Sequence, residues 1–305
     1  MQSISLHQAL IDIVLEQYDY AVISYNELAC FVYEAYKSKK YKNIPINRIK
    51  KALADKREVD AAIDDLIISN ILRLHHGSFF SNPFFLISGK RENSEEEIVC
   101  ALAPFGALSH LSAMFVHDIT DRIPNKIYYT APTDTVWRHQ YLEYLQNKGI
   151  DGPIPNYLSL APMSNGEIFN RPIQIRKTKD EIPITKIRNS PLRVTTIGKT
   201  FVDMLRDPNM CGGEDHVLDV FINEAPRFQN EIIKYADQNG RAIDKSRIGF
   251  IFDKILGIKG PKIEQWKGEQ VRGGSKKLSP NFPFSSVFDE GWCLSINIES
   301  AQQYI

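Results

Sequence analysis

Between Lys37 and Arg57 the sequence places nine basic residues, Lys37, Lys39, Lys40, Lys42, Arg48, Lys50, Lys51, Lys56 and Arg57, against one acid, Asp55. Ammonium and guanidinium groups at that density suit nucleic-acid phosphates, whose contacts supply most non-specific affinity and fix register. The rest of the chain makes the cluster stand out: 305 residues hold 37 Lys plus Arg and 37 Asp plus Glu, a net charge of zero. A uniformly basic nucleic-acid binder is thereby excluded, and any duplex contact depends on local segregation of charge. Charge alone does not separate this reading from a merely solvated loop and helix face over Lys37–Lys51.

Other patterns that could carry chemistry fall short. Gly198-Lys199-Thr200 ends like a phosphate-binding P-loop, but the first glycine of that motif would stand at Arg193, so the segment reads as a helix start. Gly212-Gly213 could form an anion-binding turn and reads rather as a helix cap. His110 and His117 lie seven apart and could share a helix face, yet no paired metal spacing occurs, so hydrogen-bonded, half-buried histidines are expected. Glu264 with Lys267, and Asp180 with Lys186, are loose nuclease-like groupings that surface charge explains better. Two further basic clusters, Arg171, Arg176, Lys177 and Lys179, and Lys259, Lys262, Lys267, Arg272, Lys276 and Lys277, read as a second electropositive surface or as scattered charge. No catalytic residue, metal or cofactor is assigned, and the expectation is a non-enzyme.

Cys30, Cys100, Cys211 and Cys293 are widely spaced, which fits neither a zinc knuckle nor a disulfide framework. With a start, MQSISLHQAL, that lacks a basic leader region, they point to a cytoplasmic protein. The uncharged run Ile98–His117 has a membrane span's length but holds Pro104, Gly106, His110 and His117, so it reads as buried structure and no membrane partner is expected.

The elements that would position the basic run follow from periodicity. Leu6, Leu10, Ile13 and Val14 predict a helix ending near Gln17, and Ser24-Tyr-Asn-Glu27 has capping-box form before a second helix through Tyr36. Ile44-Pro45 predicts a short helix through Ala54. Val59, Ile63, Leu66 and Ile67 give a one-sided stripe on a helix from about Arg57 to Asn70. Two strands around a turn, Ile71–His76 and Asn82–Ser88, come next. The polar stretch Ser88–Ser94 then marks a boundary between a domain at 1–92 and a mixed α/β domain at 93–305.

Helices followed by a hairpin are the order of a winged helix-turn-helix, so the fold expectation is α+β with such a domain leading. Arg48, Lys50, Lys51, Lys56 and Arg57 then become DNA-contact candidates before and at the reading helix, with Arg73, His75 and His76 on the wing. Asp60, Asp64 and Asp65 repel phosphate and confine contact to that helix's first turn.

Within the second domain, Gly106-Ala-Leu-Ser-His-Leu-Ser-Ala113, Ile119-Thr-Asp-Arg-Ile-Pro124 and Lys126-Ile-Tyr-Tyr-Thr130 resemble the core signature of AbiEi-type antitoxins of type IV abortive-infection systems. Arg193–Asp203, then Pro208 with Gly212-Gly213, Lys277–Pro280 and Trp292–Asn297 resemble later blocks of that family. The likeness spans most of residues 57 to 297; Lys199 stands where arginine is usual, and the insert at 37–51 is longer than usual. The resemblance implies a phage-defence antitoxin. Its winged helix would bind inverted repeats in double-stranded DNA of its own promoter and repress the operon. Its larger domain would counter a nucleotidyltransferase-like toxin without a stable complex. The alternatives are a metal-dependent nuclease or other enzyme targeted by the first domain, and a ligand-responsive transcription factor with an apolar pocket in the second.

Overall fold

The computed structural model describes residues 3–271 and 276–305, so Arg272 and the Gly273-Gly274 turn lie outside the described residues. The fold is mixed α/β, in keeping with the α+β expectation. Contacts divide the chain elsewhere than at 92/93: one unit comprises Met1–Ala107, Thr130–Ile182 and Lys186–Arg193, the other Leu108–Tyr129, Pro183–Thr185 and Val194–Ile305.

The first unit begins with α1 (Leu6–Asp12), prolonged by a π-helical turn to Gln17, and β1 (Val22–Ser24). α2 (Tyr25–Ser38) follows directly, capped by the Ser24 hydroxyl accepting from the Glu27 amide. Only half of the expected capping box forms, because the Glu27 carboxylate instead accepts from Tyr144 and pairs with Lys148. Where a short helix was expected there is a small hairpin, β2 (Lys40–Tyr41) and β3 (Ile44–Pro45). Pro45 holds Ile44 extended, and Lys42 and Asn43 take the left-handed turn between the strands.

α3 (Lys56–Ile68) starts from Asp55 with a complete capping box: Asp55 accepts from the Glu58 amide, and Glu58 accepts from the Asp55 amide. Its stripe of Val59, Ala62, Ile63 and Leu66 is buried. β4 (Leu72–His75) and β5 (Phe84–Ile87) pair antiparallel, and β1 completes a three-stranded sheet in the order β1-β5-β4. Ile23, Leu72, Phe85 and Ile87 face the helices and share one core with Val59, Ile63 and Leu66.

That core is finished by residues far along the chain. Trp137, Tyr141 and Leu145 of the helix Asp134–Asn147, then Ile150, Tyr157 and Leu158, belong to it. Buried Asn26 on α2 donates to the Tyr141 hydroxyl at 3.2 Å and the Leu158 carbonyl at 3.2 Å, and the Tyr157 hydroxyl donates to Ala54 at 3.1 Å. A cut after residue 92 would strand these groups, each costing about 1–3 kcal/mol if left buried and unpaired.

The second unit is mostly helical. Helices Ile197–Arg206, Glu214–Glu224, Gln229–Asn239 and Ala242–Phe250 surround a core holding Phe201, Phe221, Ile248, Phe252, Trp266 and Trp292. Gly198 permits the tight crossing with the helix at 229–239, since a Cβ there would stand 2.4 Å from the Glu231 carbonyl oxygen. Leu108 and Val194 pair as parallel strands within this unit.

Candidate nucleic-acid interface

Folding sorts the nine cations of the basic run. Lys37 donates to the Gly149 carbonyl at 2.5 Å, and Lys42 pairs with Glu16 at 3.3 Å. Lys51 binds Asp55 at 2.9 Å and Glu58 at 3.0 Å, and Lys56 reaches Asp60 at 3.6 Å. Lys39, Lys40, Arg48, Lys50 and Arg57 are exposed and have no carboxylate partner among the described residues. Arg48 sits in the left-handed region at φ 63°, in the loop that delivers Lys50 and Lys51 to the start of α3.

The N-terminus of α3 is not itself open to an anion. Its free amides are served by Asp55, whose carboxyl is held below its usual range by the Lys51 ammonium and the Glu58 amide. A phosphate approaching here meets side-chain cations flanking a carboxylate cap rather than bare helix amides. Beyond the first turn, Asp64 and Asp65 are exposed, and Asp60 accepts from the Tyr25 hydroxyl at 2.7 Å. Exposed cations therefore stand in the loop 46–55 and on the first turn of α3, and also at Lys39 and Lys40 where α2 passes into β2.

Arg73 and His75 do not join it. Since Leu72, Phe85 and Ile87 face the helices, strand alternation puts Arg73 and His75 on the opposite face of the sheet. His75 stacks on its cross-strand partner Phe84, with ring centroids 5.8 Å apart, and meets Phe169 edge-on at 5.4 Å. His76 is exposed just past the end of β4.

The turn joining β4 to β5, the tip of the expected wing, is covered by its own unit. Phe79 and Phe80 are buried, the Ser78 amide donates to the Glu167 carbonyl, and the Glu167 amide donates to the Ser78 hydroxyl. Gly166 allows this, because a Cβ there would lie 2.4 Å from the Phe79 nitrogen.

The segments resembling AbiEi-type antitoxins lie mostly in the second unit and are in large part buried, although Asp121, Arg122 and Ile123 are exposed. Ser109, His110, Ser112, Thr195, Thr200 and Asp203 are all buried. Ser112 accepts from the Tyr128 amide at 3.0 Å, and the Ser109 amide donates to the Tyr128 carbonyl at 3.0 Å, locking the first block to the strand after it. Lys199 turns inward to Asp203 at 2.7 Å, which leaves its P-loop-like neighbours nothing to offer a phosphate. The two last blocks clasp each other: Leu278 donates to Ser295, and Asn297 exchanges hydrogen bonds with Ser279. Gly213 caps the helix Glu214–Glu224.

Both singled-out histidines are engaged. His110 lies 2.8 Å from the Ser109 hydroxyl through Nδ1, and His117 Nε2 contacts the Thr195 carbonyl at 2.7 Å, its pKa lowered by burial. All four cysteines are buried. Among the described residues no group of three or more His, Cys, Asp or Glu is placed to hold a metal ion, and Asp180 and Glu264 are exposed in different units. In the second unit, an apolar hollow lined by Leu205, Val217, Leu218, Ile251, Leu278 and Ile298 has only about 10 Å³, too small for a ligand.

The remaining basic clusters are largely compensated. Arg171 pairs with Glu95 at 3.1 Å and Glu96 at 2.7 Å, and Lys177 pairs with Asp134. Lys262 pairs with Asp237 and Lys267 with Asp253, while Lys277 donates to the Pro280 and Phe282 carbonyls. No described helix is long and apolar enough to cross a membrane, and the run Ile98–His117 is broken into two helices and a short strand.

No family model matches the sequence, and no curated protein matches it. Among solved structures it is similar to protein Rv2827c of Mycobacterium tuberculosis, with a TM-score of 0.49 and 11% identity over 96% of this chain and 92% of that one.

Proposed function

We propose that α1–β5 form a winged helix that binds double-stranded DNA, and that the protein is an AbiEi-type antitoxin repressing its own operon. The observation that carries the DNA half is the exposure, without carboxylate partners among the described residues, of Arg48 and Lys50 in the loop before α3 and of Arg57 in its first turn. The order helix, strand, helix, small hairpin, helix, hairpin and a three-stranded antiparallel sheet support the reading. Arg48 and Lys50 would meet phosphates and Arg57 a base edge, with Lys51 held by Asp55 and Glu58 and Lys56 partly held by Asp60. Arg73 and His75, on the far face of the sheet, drop out of this surface, and the covered turn leaves little wing to follow the backbone.

Repression of a promoter and antagonism of a nucleotidyltransferase-like toxin rest on the resemblance in the second unit. A fluorescence-anisotropy titration with the protein's own upstream region tests the first part; a folded protein that fails to bind at low salt would remove it. Growth rescue from a neighbouring nucleotidyltransferase-like gene tests the second. Full-length Arg57→Ala is the suitable variant, since a fragment beginning at residue 93 would leave Tyr141 and Trp137 without their α2 and α3 neighbours. It should lose repression and keep rescue.

A further inference from the structure

Beside the three-stranded sheet, the first unit contains a cavity of about 520 Å³, within the range that encloses a small organic ligand. Its wall includes Arg73, His75, Lys90, Arg91, Asn93 and Phe169. Three cations therefore face it against one carboxylate of the lining, Glu92. Arg73 has no carboxylate partner among the described residues; its Nε donates to His75 Nε2 at 3.1 Å. Arg91 shares one nitrogen with Glu97, and its side chain stays mostly exposed. Lys90 donates to the Tyr18 carbonyl.

His75 is fixed in one form by these contacts. Because Arg73 is only a donor, His75 Nε2 accepts and the ring proton sits on Nδ1. Burial first, then the charges of Arg73 and His76, lower its pKa, so the ring is a neutral N–H donor. Phe169 adds an apolar plane, 43% exposed, at the same cavity. It occupies the left-handed region at φ 47°, followed by Asn170 at φ 70°, in the tight turn between strands Gly166–Ile168 and Arg171–Thr178. Such turns favour Asn-Gly, so the bulky aromatic is held there at a cost of about 1 kcal/mol or more, with its ring edge-on to His75 and Phe84.

We propose that this cavity binds a small anion carrying a planar ring, a nucleoside monophosphate being the simplest case, with phosphate on Arg73 and Arg91 and the base against Phe169. The site is separate from the loop at 46–55 and stands whether or not that loop binds DNA. A guanidinium pair gives forked donors for phosphate oxygens, and an exposed aromatic ring gives sequence-tolerant stacking.

Isothermal titration of the full-length protein with AMP, adenosine and inorganic phosphate tests the proposal. AMP should bind with a Kd below about 1 mM, and each of the other two at least about tenfold more weakly. Arg73→Gln should weaken AMP about tenfold or more while the ligand-free melting temperature holds; should that variant melt early, Arg91→Gln carries the same expectation. Phe169→Ser should remove the preference for AMP over inorganic phosphate. Absence of heat for all three probes at about 5 mM, or AMP affinity untouched by both arginine variants, would overturn the proposal.

Discussion

The loop leading into α3 and the hairpin β4–β5 both carry cations, and they spend them differently. In the loop, Arg48, Lys50 and Arg57 stand exposed without carboxylates, while Lys51 is absorbed by the helix cap. On the hairpin, Arg73 orients His75, His75 stacks on Phe84, and the connecting turn is bonded to residues 164–167. A positive charge in the sequence is therefore only a candidate for binding. Its sheet face and its nearest carboxylate decide whether it is offered to solvent, turned to a cavity, or consumed by the fold.

The difference can be broken at several points. The loop is held in place by the core beneath α2 and α3, to which Trp137 contributes a side chain only 2% exposed. Trp137→Ala should cost about 3–5 kcal/mol in urea unfolding and weaken DNA binding with it. A loss under about 1 kcal/mol would mean that the leading module stands without the helix at 134–147.

Arg206 marks the fully compensated extreme: it grips Asp244, which is wholly buried, at 2.6 Å. Burial alone would raise the Asp244 pKa, but hydrogen bonds and charge from Arg206, with help from Arg241, hold it below the carboxylate range. Asp244→Asn should destabilise by about 3–5 kcal/mol at neutral pH, since it leaves a cation with half its partner. A depressed carboxyl stabilises above its unfolded pKa of about 3.9 and loses that contribution as pH falls through the folded value. The gap between wild type and Asp244→Asn should therefore shrink below about pH 4, and a constant gap across that limb would contradict the assignment.

At the uncompensated end, Arg57→Ala should cost about 1–3 kcal/mol on the cognate sequence and less on unrelated DNA, read as a ratio of affinities. Lys50→Ala should have the smallest effect, lowering the salt slope of log K by about 0.9 without changing sequence preference. An unchanged slope would take Lys50 off the duplex.

Much of α3 is legible beforehand, because the stripe Val59, Ile63 and Leu66 is a local signal. β1 is three residues long and runs straight into α2, too short for a period to register. The hairpin at 40–45 escapes for a different reason: Ile44-Pro45 is as compatible with an extended pair as with a helix start, and the left-handed turn falls on Lys42-Asn43 rather than on glycine. The covering of the β4–β5 turn and the completion of the core by Tyr141 and Tyr157 depend on partners about 80 or more positions away, where no spacing rule reaches. The cavity residues Lys90 and Arg91 lie in what reads as a polar linker, and Phe169 stands about 80 positions further along, so nothing local joins them.

The central claim, that only the cations leading into α3 serve a duplex, is tested most directly by anisotropy titrations of the upstream DNA with wild type, Arg57→Ala and Arg73→Ala at one low salt concentration. The account expects Arg57→Ala to weaken binding about tenfold or more and Arg73→Ala to stay within about twofold of wild type. Equal losses in the two variants, or a larger loss for Arg73→Ala, would contradict it.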